Sequence, residues 1–249
     1  MLRSLIYVIW LYLWGIVIGV LTLPFLLLPR AFLVGTIRLY ARIVLFGLRW
    51  ICGVKVEFRG LEHVPDGAAL VAAKHQAMVD IFIPFLIFKD PIMVMKRELL
   101  WYPVLGWTAL KTRMLPIDRS GGAKTMRAML KAAATRVPEG NGRQMFIFPE
   151  GTRTAPGAPP SYKPAGVRAF YKALDVPLVP VATNAGLCWP AHGIRRTPGT
   201  VVYEVLPAIE PGLEHKDMLA RLQGDLEAAS ARLLDEGLAA QGRTRADLA

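Results

Sequence analysis

From Ser4 to Pro29 the chain runs 26 residues without a charged side chain. As helix this stretch extends roughly 39 Å, against a bilayer hydrocarbon core of about 30 Å. It is too long for the apolar core of a secretory signal, and it ends in Leu-Leu-Leu-Pro-Arg rather than a small-residue cleavage site, so it is expected to be retained. Tyr7, Trp10, Tyr12 and Trp14 lie near its start, where amphipathic rings suit the headgroup level, while Pro24 and Pro29 weaken a straight span at the other end. The next stretch, Ala31 to Cys52, is apolar except for Arg38, Arg42 and Arg49, which at about 100° per residue fall within an arc of roughly 40°. One basic stripe on an apolar helix suits the membrane interface, with the arginines among lipid phosphates. The alternative is a helix packed on the domain with a solvated arginine edge. If the first segment spans, the arginines that follow outnumber Arg3 and place the rest of the chain on the cytoplasmic side.

Beyond about Lys55 the pattern changes to short apolar runs separated by Gly, Pro and charge: Ala68 to Ala73, Ile92 to Met95, Met145 to Phe148, Leu178 to Ala182 and Thr200 to Leu206. These read as buried strands. Between them lie helix-like stretches at Ile81 to Phe88, Gly122 to Arg136 and Gly166 to Leu174, with a Pro/Gly-rich loop at Ala155 to Lys163. Met218, Leu222, Leu226 and Leu233 mark one face of a closing helix, and the tail from Gln241 to Ala249 is expected to fray. The alternation predicts an α/β fold, a three-layer sandwich around a mostly buried mixed sheet, preceded by a hydrophobic helical membrane segment. The division is residues 1–54 as membrane-associated helices and 55–249 as the α/β domain.

Thirty Lys and Arg against 19 Asp and Glu give +11, which attracts nucleic acid, anionic lipid and phosphorylated substrates alike. The apolar N-terminus favours an anionic membrane over nucleic acid as the partner. Cys52 and Cys188 stand far apart with no CxxC spacing, and His63, His192 and His215 fit no zinc pattern, so neither a disulfide framework nor a metal site is expected.

Two constellations can carry chemistry. His75 and Asp80 lie in Lys74-His75-Gln76-Ala77-Met78-Val79-Asp80, between a predicted strand and a predicted helix, where α/β folds place ligands. Residues five apart are about 140° apart on a regular helix, so the two side chains meet only if His75 lies in the turn before the helix and Asp80 in its first turns. Asp80 then accepts a proton from one ring nitrogen and leaves the other as a base. Phe148-Pro149-Glu150-Gly151-Thr152-Arg153 stands at another strand exit, where a carboxylate, a glycine, a hydroxyl and a guanidinium suit a polar headgroup. Lys96-Arg97-Glu98-Leu99 and Pro116-Ile117-Asp118-Arg119 add cations after other strand-like runs, which are either solvated clusters or part of the same site. Ser4, Ser120, Ser161 and Ser230 are the only serines, and none lies in a G-x-S-x-G elbow, which argues against a serine hydrolase.

Over roughly residues 60–190 these pieces resemble the glycerolipid acyltransferases of the 1-acylglycerol-3-phosphate acyltransferase (lysophosphatidic acid acyltransferase) family. His75 and Asp80 fit its H-x4-D block, Lys96 to Leu99 with Trp101, Pro103 and Gly106 resembles the stretch that follows, and Ile117-Asp118-Arg119 fits the second block. Phe148 to Arg153 reproduces the third, and Val176 to Val181 resembles the fourth. The chain departs from the pattern at Lys74 and Ala77, where many members have Asn and Ser, and at Lys163-Pro164-Ala165-Gly166, where Lys-Pro-Gly is common. The resemblance implies that His75, oriented by Asp80, acts as general base for transfer of an acyl group from a coenzyme A or acyl carrier protein thioester to a lysophospholipid hydroxyl. No metal or further cofactor is implied. It nominates Lys96, Arg119 and Arg153 for the acceptor phosphate and Glu150, Gly151 and Thr152 for the glycerol site. With the arginine bias after the first segment, the expected location is the cell (inner) membrane with the catalytic domain on its cytoplasmic face. Another lysolipid acceptor, such as a lyso-ornithine lipid, or a catalytically silent lipid-binding protein, fits the same residues.

Overall fold

The structure, a computed structural model, describes residues 1–118 and 122–248. It opens with two long apolar helices, α1 (Leu2–Thr22) and α2 (Arg30–Cys52). Between them Leu23–Leu27 forms a 3-10 turn with Pro24 at its start, and Pro29 stands as N-cap of α2. The two prolines therefore mark a corner between helices rather than a weak end of one span. Strand β1 (Val54–Arg59) follows, then β2 (Ala69–Ala73), α3 (Pro84–Ile87), β3 (Pro91–Lys96), α4 (Leu105–Lys111), β4 (Leu115–Ile117), α5 (Gly122–Arg136), β5 (Gln144–Ile147), α6 (Pro164–Leu174), β6 (Leu178–Thr183), β7 (Gly199–Val205) and α7 (His215–Ala240).

The fold is a mixed α/β fold around a seven-stranded sheet in the order β1-β7-β6-β2-β5-β3-β4. β6, β2, β5, β3 and β4 are parallel neighbours, β7 runs antiparallel to β6, and β1 is parallel to β7. Alternation along the central strands sorts side chains between two cores. Leu70, Ala72, Met145, Ile147, Leu178 and Ala182 pack with Met129 and Ala133 of α5, Val167 and Phe170 of α6, and Met218, Leu222, Leu226 and Leu233 of α7. Ala69, Val71, Ala73, Phe146, Val179 and Val181 pack on the other face with Val34 of α2, Phe85 and Phe88 at α3, and Ala109 of α4. Each fully buried Val, Leu, Ile, Phe or Met among them stabilises by about 1.5–3 kcal/mol.

Several elements differ from the expectation. β1 and β4 were not anticipated: β1 reads Val-Lys-Val-Glu-Phe-Arg, half charged because it is an edge strand, and β4 is three residues long. The helix expected over Ile81 to Phe88 is instead a 3-10 turn, Met78–Ile81, followed by the single turn of α3, because Pro84 has no N–H to continue a helix already begun. The tail does not fray throughout: Arg245–Leu248 forms a 3-10 turn, tied by Arg245 to Asp235 of α7 at 2.7 Å. Tyr7 and Trp10, expected at a headgroup level, turn inward. Tyr7 is fully buried, donates to the Val44 carbonyl at 3.3 Å and meets the Trp189 ring edge-on at 5.5 Å, while Trp10 donates to the Ile43 carbonyl at 3.1 Å. Arg38 likewise leaves the basic stripe, since its guanidinium donates to the carbonyls of Phe85 and Phe88 at 3.1 Å each, and also to that of Lys89, closing the carbonyl end of α3. Arg42 and Arg49 remain exposed.

The β1–β7 edge depends on one backbone position. Gly60 follows β1 with φ +66°, and a Cβ there would stand 2.0 Å from the Val205 carbonyl oxygen. Both the left-handed conformation and the approach of two backbones exclude a side chain. We expect Gly60→Ala to lower the thermal midpoint, followed by intrinsic fluorescence in detergent, by about 3–10 °C. A midpoint within 1 °C of the native protein would contradict this reading.

Candidate active site

β2 ends at Ala73, and Lys74 extends it by one bond, its N–H donating to the Val181 carbonyl at 3.0 Å. The chain then turns through His75, Gln76 and Ala77 into the 3-10 turn that carries Asp80. Asp80 is 2% exposed and His75 16%. The Asp80 carboxylate collects four donors. Oδ2 accepts from the backbone N–H of Gln76 at 2.7 Å and of Ala77 at 2.8 Å, and lies 2.9 Å from His75 Nδ1. Oδ1 accepts from the Tyr203 hydroxyl at 2.6 Å. The two backbone bonds explain why the turn forms where it does: a short carboxylate reaching back three and four residues satisfies the first N–H groups of the turn.

The bonding pattern assigns the imidazole tautomer. An ionised carboxylate only accepts, so the bond to Nδ1 requires a proton on Nδ1, and in the neutral ring Nε2 carries the free lone pair. Phe148 fixes the ring plane, its ring stacked on His75 with centroids 4.1 Å apart and 16° between planes. Burial, reinforced by the Asp80 charge, pushes the Tyr203 hydroxyl well above the ordinary tyrosine range, which keeps it a donor.

The second motif approaches from β5. Gly151 turns the chain back at φ +67°, its N–H donating to the Phe148 carbonyl at 2.9 Å. Thr154 then clamps the His75 peptide, its N–H donating to the His75 carbonyl at 2.8 Å. On the other side of the same residue, the His75 N–H donates to Glu150 Oε2 at 2.9 Å. Glu150 is 1% exposed, and its Oε1 is taken by Lys74 Nζ at 2.6 Å and the Thr154 hydroxyl at 2.8 Å. Glu150 therefore faces inward as a brace, not outward toward the glycerol site for which the resemblance nominated it. Burial opposes the charge of Lys74, but its bonds to Glu150 and Glu227 outweigh that and hold its pKa above the ordinary lysine value.

Of the nominated residues, the structure brings His75, Asp80, Glu150 and Gly151 together. Thr152 and Arg153 are exposed at the turn, while the hydroxyl of Thr154 is spent on Glu150. Lys96 is exposed at the carboxyl end of β3, the same edge of the parallel strands as His75. Arg119 lies outside the described residues. Sequence reasoning missed Tyr203, Glu227 and Thr154. Tyr203 is 123 residues from Asp80, and only the alternation of β7 hints that it points inward.

An imidazole held in one tautomer at a strand exit, next to a cationic turn, is an arrangement able to take a proton from a hydroxyl. Residues 55–184 match the family described as Acyltransferase, and the chain belongs to it; its class is O-acyltransferase. It is 30% identical over 221 residues to the 1-acyl-sn-glycerol-3-phosphate acyltransferase of Pseudomonas aeruginosa, covering 87% of this chain and 82% of that protein. It is 29% identical over 201 residues to the enzyme of the same name from Limnanthes alba, covering 79% and 67%. The fold is similar to the crystal structure of the 1-acyl-sn-glycerophosphate acyltransferase PlsC from Thermotoga maritima, with TM-score 0.75 and 20% identity, covering 93% of this chain and 97% of that one.

Two substitutions test the carboxylate's part. Asp80→Asn frees the ring to adopt the other tautomer, and we expect acyl transfer to fall at least about a hundredfold, measured as kcat. Tyr203→Phe removes one charge-assisted bond and should cost about three- to thirtyfold. If either variant is folded and turns over at the native rate, Asp80 does not orient the base as described.

Proposed function

We propose that the chain transfers a fatty acyl group from a thioester to the sn-2 hydroxyl of 1-acylglycerol-3-phosphate, yielding phosphatidic acid for phospholipid synthesis. The observation that carries this reading is the His75 tautomer: with Nδ1–H bound to Asp80, Nε2 is the free base. Nε2 takes the proton as the hydroxyl oxygen attacks the thioester carbonyl. The new C–O bond forms, the C–S bond breaks, and the proton passes to the departing thiolate. General-base help of this kind is typically worth about 10²–10⁴ in rate. Asp80 orients the ring and stabilises the imidazolium. The thiolate leaves readily, so neither an acyl-enzyme nor a metal has to be invoked. Lys96 and Arg153, with Arg119, supply cations for the acceptor phosphate, and Gly151 and Thr152 border the glycerol. The names of the relatives favour this acceptor over another lysolipid. Coenzyme A and acyl carrier protein both present the required thioester.

We also read the protein as bound to the cytoplasmic face of the cell membrane, its N-terminal helices forming the lipid-facing edge of a three-layer domain. α1 buries only a stripe of Ser4, Tyr7, Leu11, Ile18 and Thr22 against the protein and leaves Leu5, Ile9, Leu13, Ile16 and Val20 exposed. Next to it, α4 and the turn before it expose Trp101, Tyr102, Leu105, Trp107 and Leu110, Trp101 at 81%. A continuous apolar surface of this kind is stable against lipid and a liability in water. Arg42 and Arg49 at its margin suit lipid phosphates.

His75→Ala should lower acyl transfer at least about a hundredfold while binding to lysophosphatidate vesicles is retained; unchanged turnover would refute the assignment. Acylation assays of the purified native chain over a panel of lysolipids test the acceptor, and a lysophosphatidate rate far below another acceptor's would overturn that choice. The chain should remain with membranes through alkaline carbonate washing, and release into the supernatant would contradict insertion.

A further inference from the structure

Lys74 is one of the positions at which this chain departs from the family pattern, and the structure gives it defined partners. Its neighbour His75 faces the site, while the Lys74 side chain points to the α7 side of the sheet, where it is 5% exposed. Its ammonium bridges two carboxylates, Glu150 Oε1 at 2.6 Å and Glu227 Oε1 of α7 at 2.9 Å. It also lies 5.5 Å from the centre of the Tyr162 ring, whose hydroxyl donates to the same Glu227 oxygen at 2.7 Å. Glu150 passes the linkage on, since its second oxygen holds the His75 N–H. One unbroken polar path therefore runs from the closing helix through Glu227, Lys74 and Glu150 to the peptide of the base.

We propose that Lys74 and Glu227 are positioning residues for His75, and that the C-terminal helix sets the placement of the base through them. The proposal rests on the reading of His75 as the base. The physical argument is the cost of a buried charge without its partner. Glu150 is almost completely enclosed, and Lys74 is the cation that faces it. Without that cation Glu150 must leave its enclosure or lose its charge, and in leaving it releases the His75 N–H. The His75 peptide is then held from the Thr154 side alone, and the ring loses the fixed approach that its stacking on Phe148 and its bond to Asp80 require. A displacement on the order of 1 Å at a general base is enough to lower turnover by about a hundredfold. Acceptor binding, which involves none of these three side chains, changes little.

The test compares Lys74→Met, Glu150→Gln, the double variant Lys74→Met with Glu150→Gln, and Glu227→Gln, each purified as the full chain. Lys74→Met should lower kcat at least about tenfold with KM for the lysolipid within about threefold. The double variant removes the stranded charge yet keeps an oxygen to accept from the His75 N–H, and should recover at least about fivefold of that loss. Glu227→Gln, at a partly exposed position that tolerates the change in folding, should lower kcat about threefold. Hydrogen exchange at the His75 amide gives a second readout, faster in Lys74→Met and Glu227→Gln and slower again in the double variant. If Lys74→Met does not fold, Glu227→Gln decides alone: native kcat with native exchange overturns the proposal. So does Glu150→Gln raising KM at least about tenfold with kcat retained, since Glu150 would then touch the acceptor. Absence of lysophosphatidate turnover by the native chain would sink the acceptor assignment, whereas the exchange rates still decide the positioning role.

Discussion

The Asp80 carboxylate takes four hydrogen bonds, and the rest of the site follows from that. Two of them come from the backbone of the turn that leaves β2, so the same side chain that orients the imidazole also shapes the loop presenting it. A third comes from Tyr203 on β7, which ties the turn to the antiparallel half of the sheet. The carboxylate is nearly enclosed, and a buried charge is tolerable only when its acceptors are satisfied. Here they are satisfied by groups from two stretches of the chain, His75 to Ala77 and Tyr203 on β7. The His75 ring is consequently placed by the turn together with β7, not by a short motif alone.

Around that centre the sheet divides the labour. Its parallel strands end at one edge and deliver His75, the Glu150 turn and Lys96 together. One face packs against α5, α6 and α7, and the other against α2, α3 and α4. The apolar N-terminal pair builds a further core with the β1–β7 end of the sheet: Tyr7, Leu11, Val44, Leu48 and Cys52 pack with Val54, Val79, Val201 and Tyr203. The helices that we read as lipid-facing thus rest directly against the strand that supplies Tyr203 to Asp80.

Much of this was legible in the sequence, and the limits have physical causes. Five of the seven strands and the closing helix announced themselves by short, mainly apolar runs and by the spacing of Met218, Leu222, Leu226 and Leu233, because central elements bury most of their residues. The edge strand β1 and the three-residue β4 did not, since half-exposed and very short strands carry no such signal. His75 and Asp80 could be paired because they share one turn, and the requirement that the turn precede a helix was met by the 3-10 turn at Met78–Ile81. Pro84 lies inside an apolar run with helical spacing, and its missing N–H makes it the start of α3 instead. The inward orientation of Glu150 was illegible for another reason: two of its partners, Lys74 and the His75 N–H, stand at the exit of β2, far along the chain, and a motif read in order shows which residue types are present but not which way they face. Arg38 gave the same lesson, a basic stripe in sequence whose first member proved to cap α3.

The central claim is that Asp80 fixes a proton on Nδ1 and leaves Nε2 free to act as base. The direct measurement is the 15N spectrum of the four ring-labelled histidines in the folded protein, recorded at a pH where the imidazole is neutral, with His75→Gln used to assign the His75 signals. The account predicts that Nδ1 of His75 resonates as a protonated nitrogen and Nε2 as an unprotonated one. A His75 ring protonated at Nε2 with Nδ1 bare would contradict it.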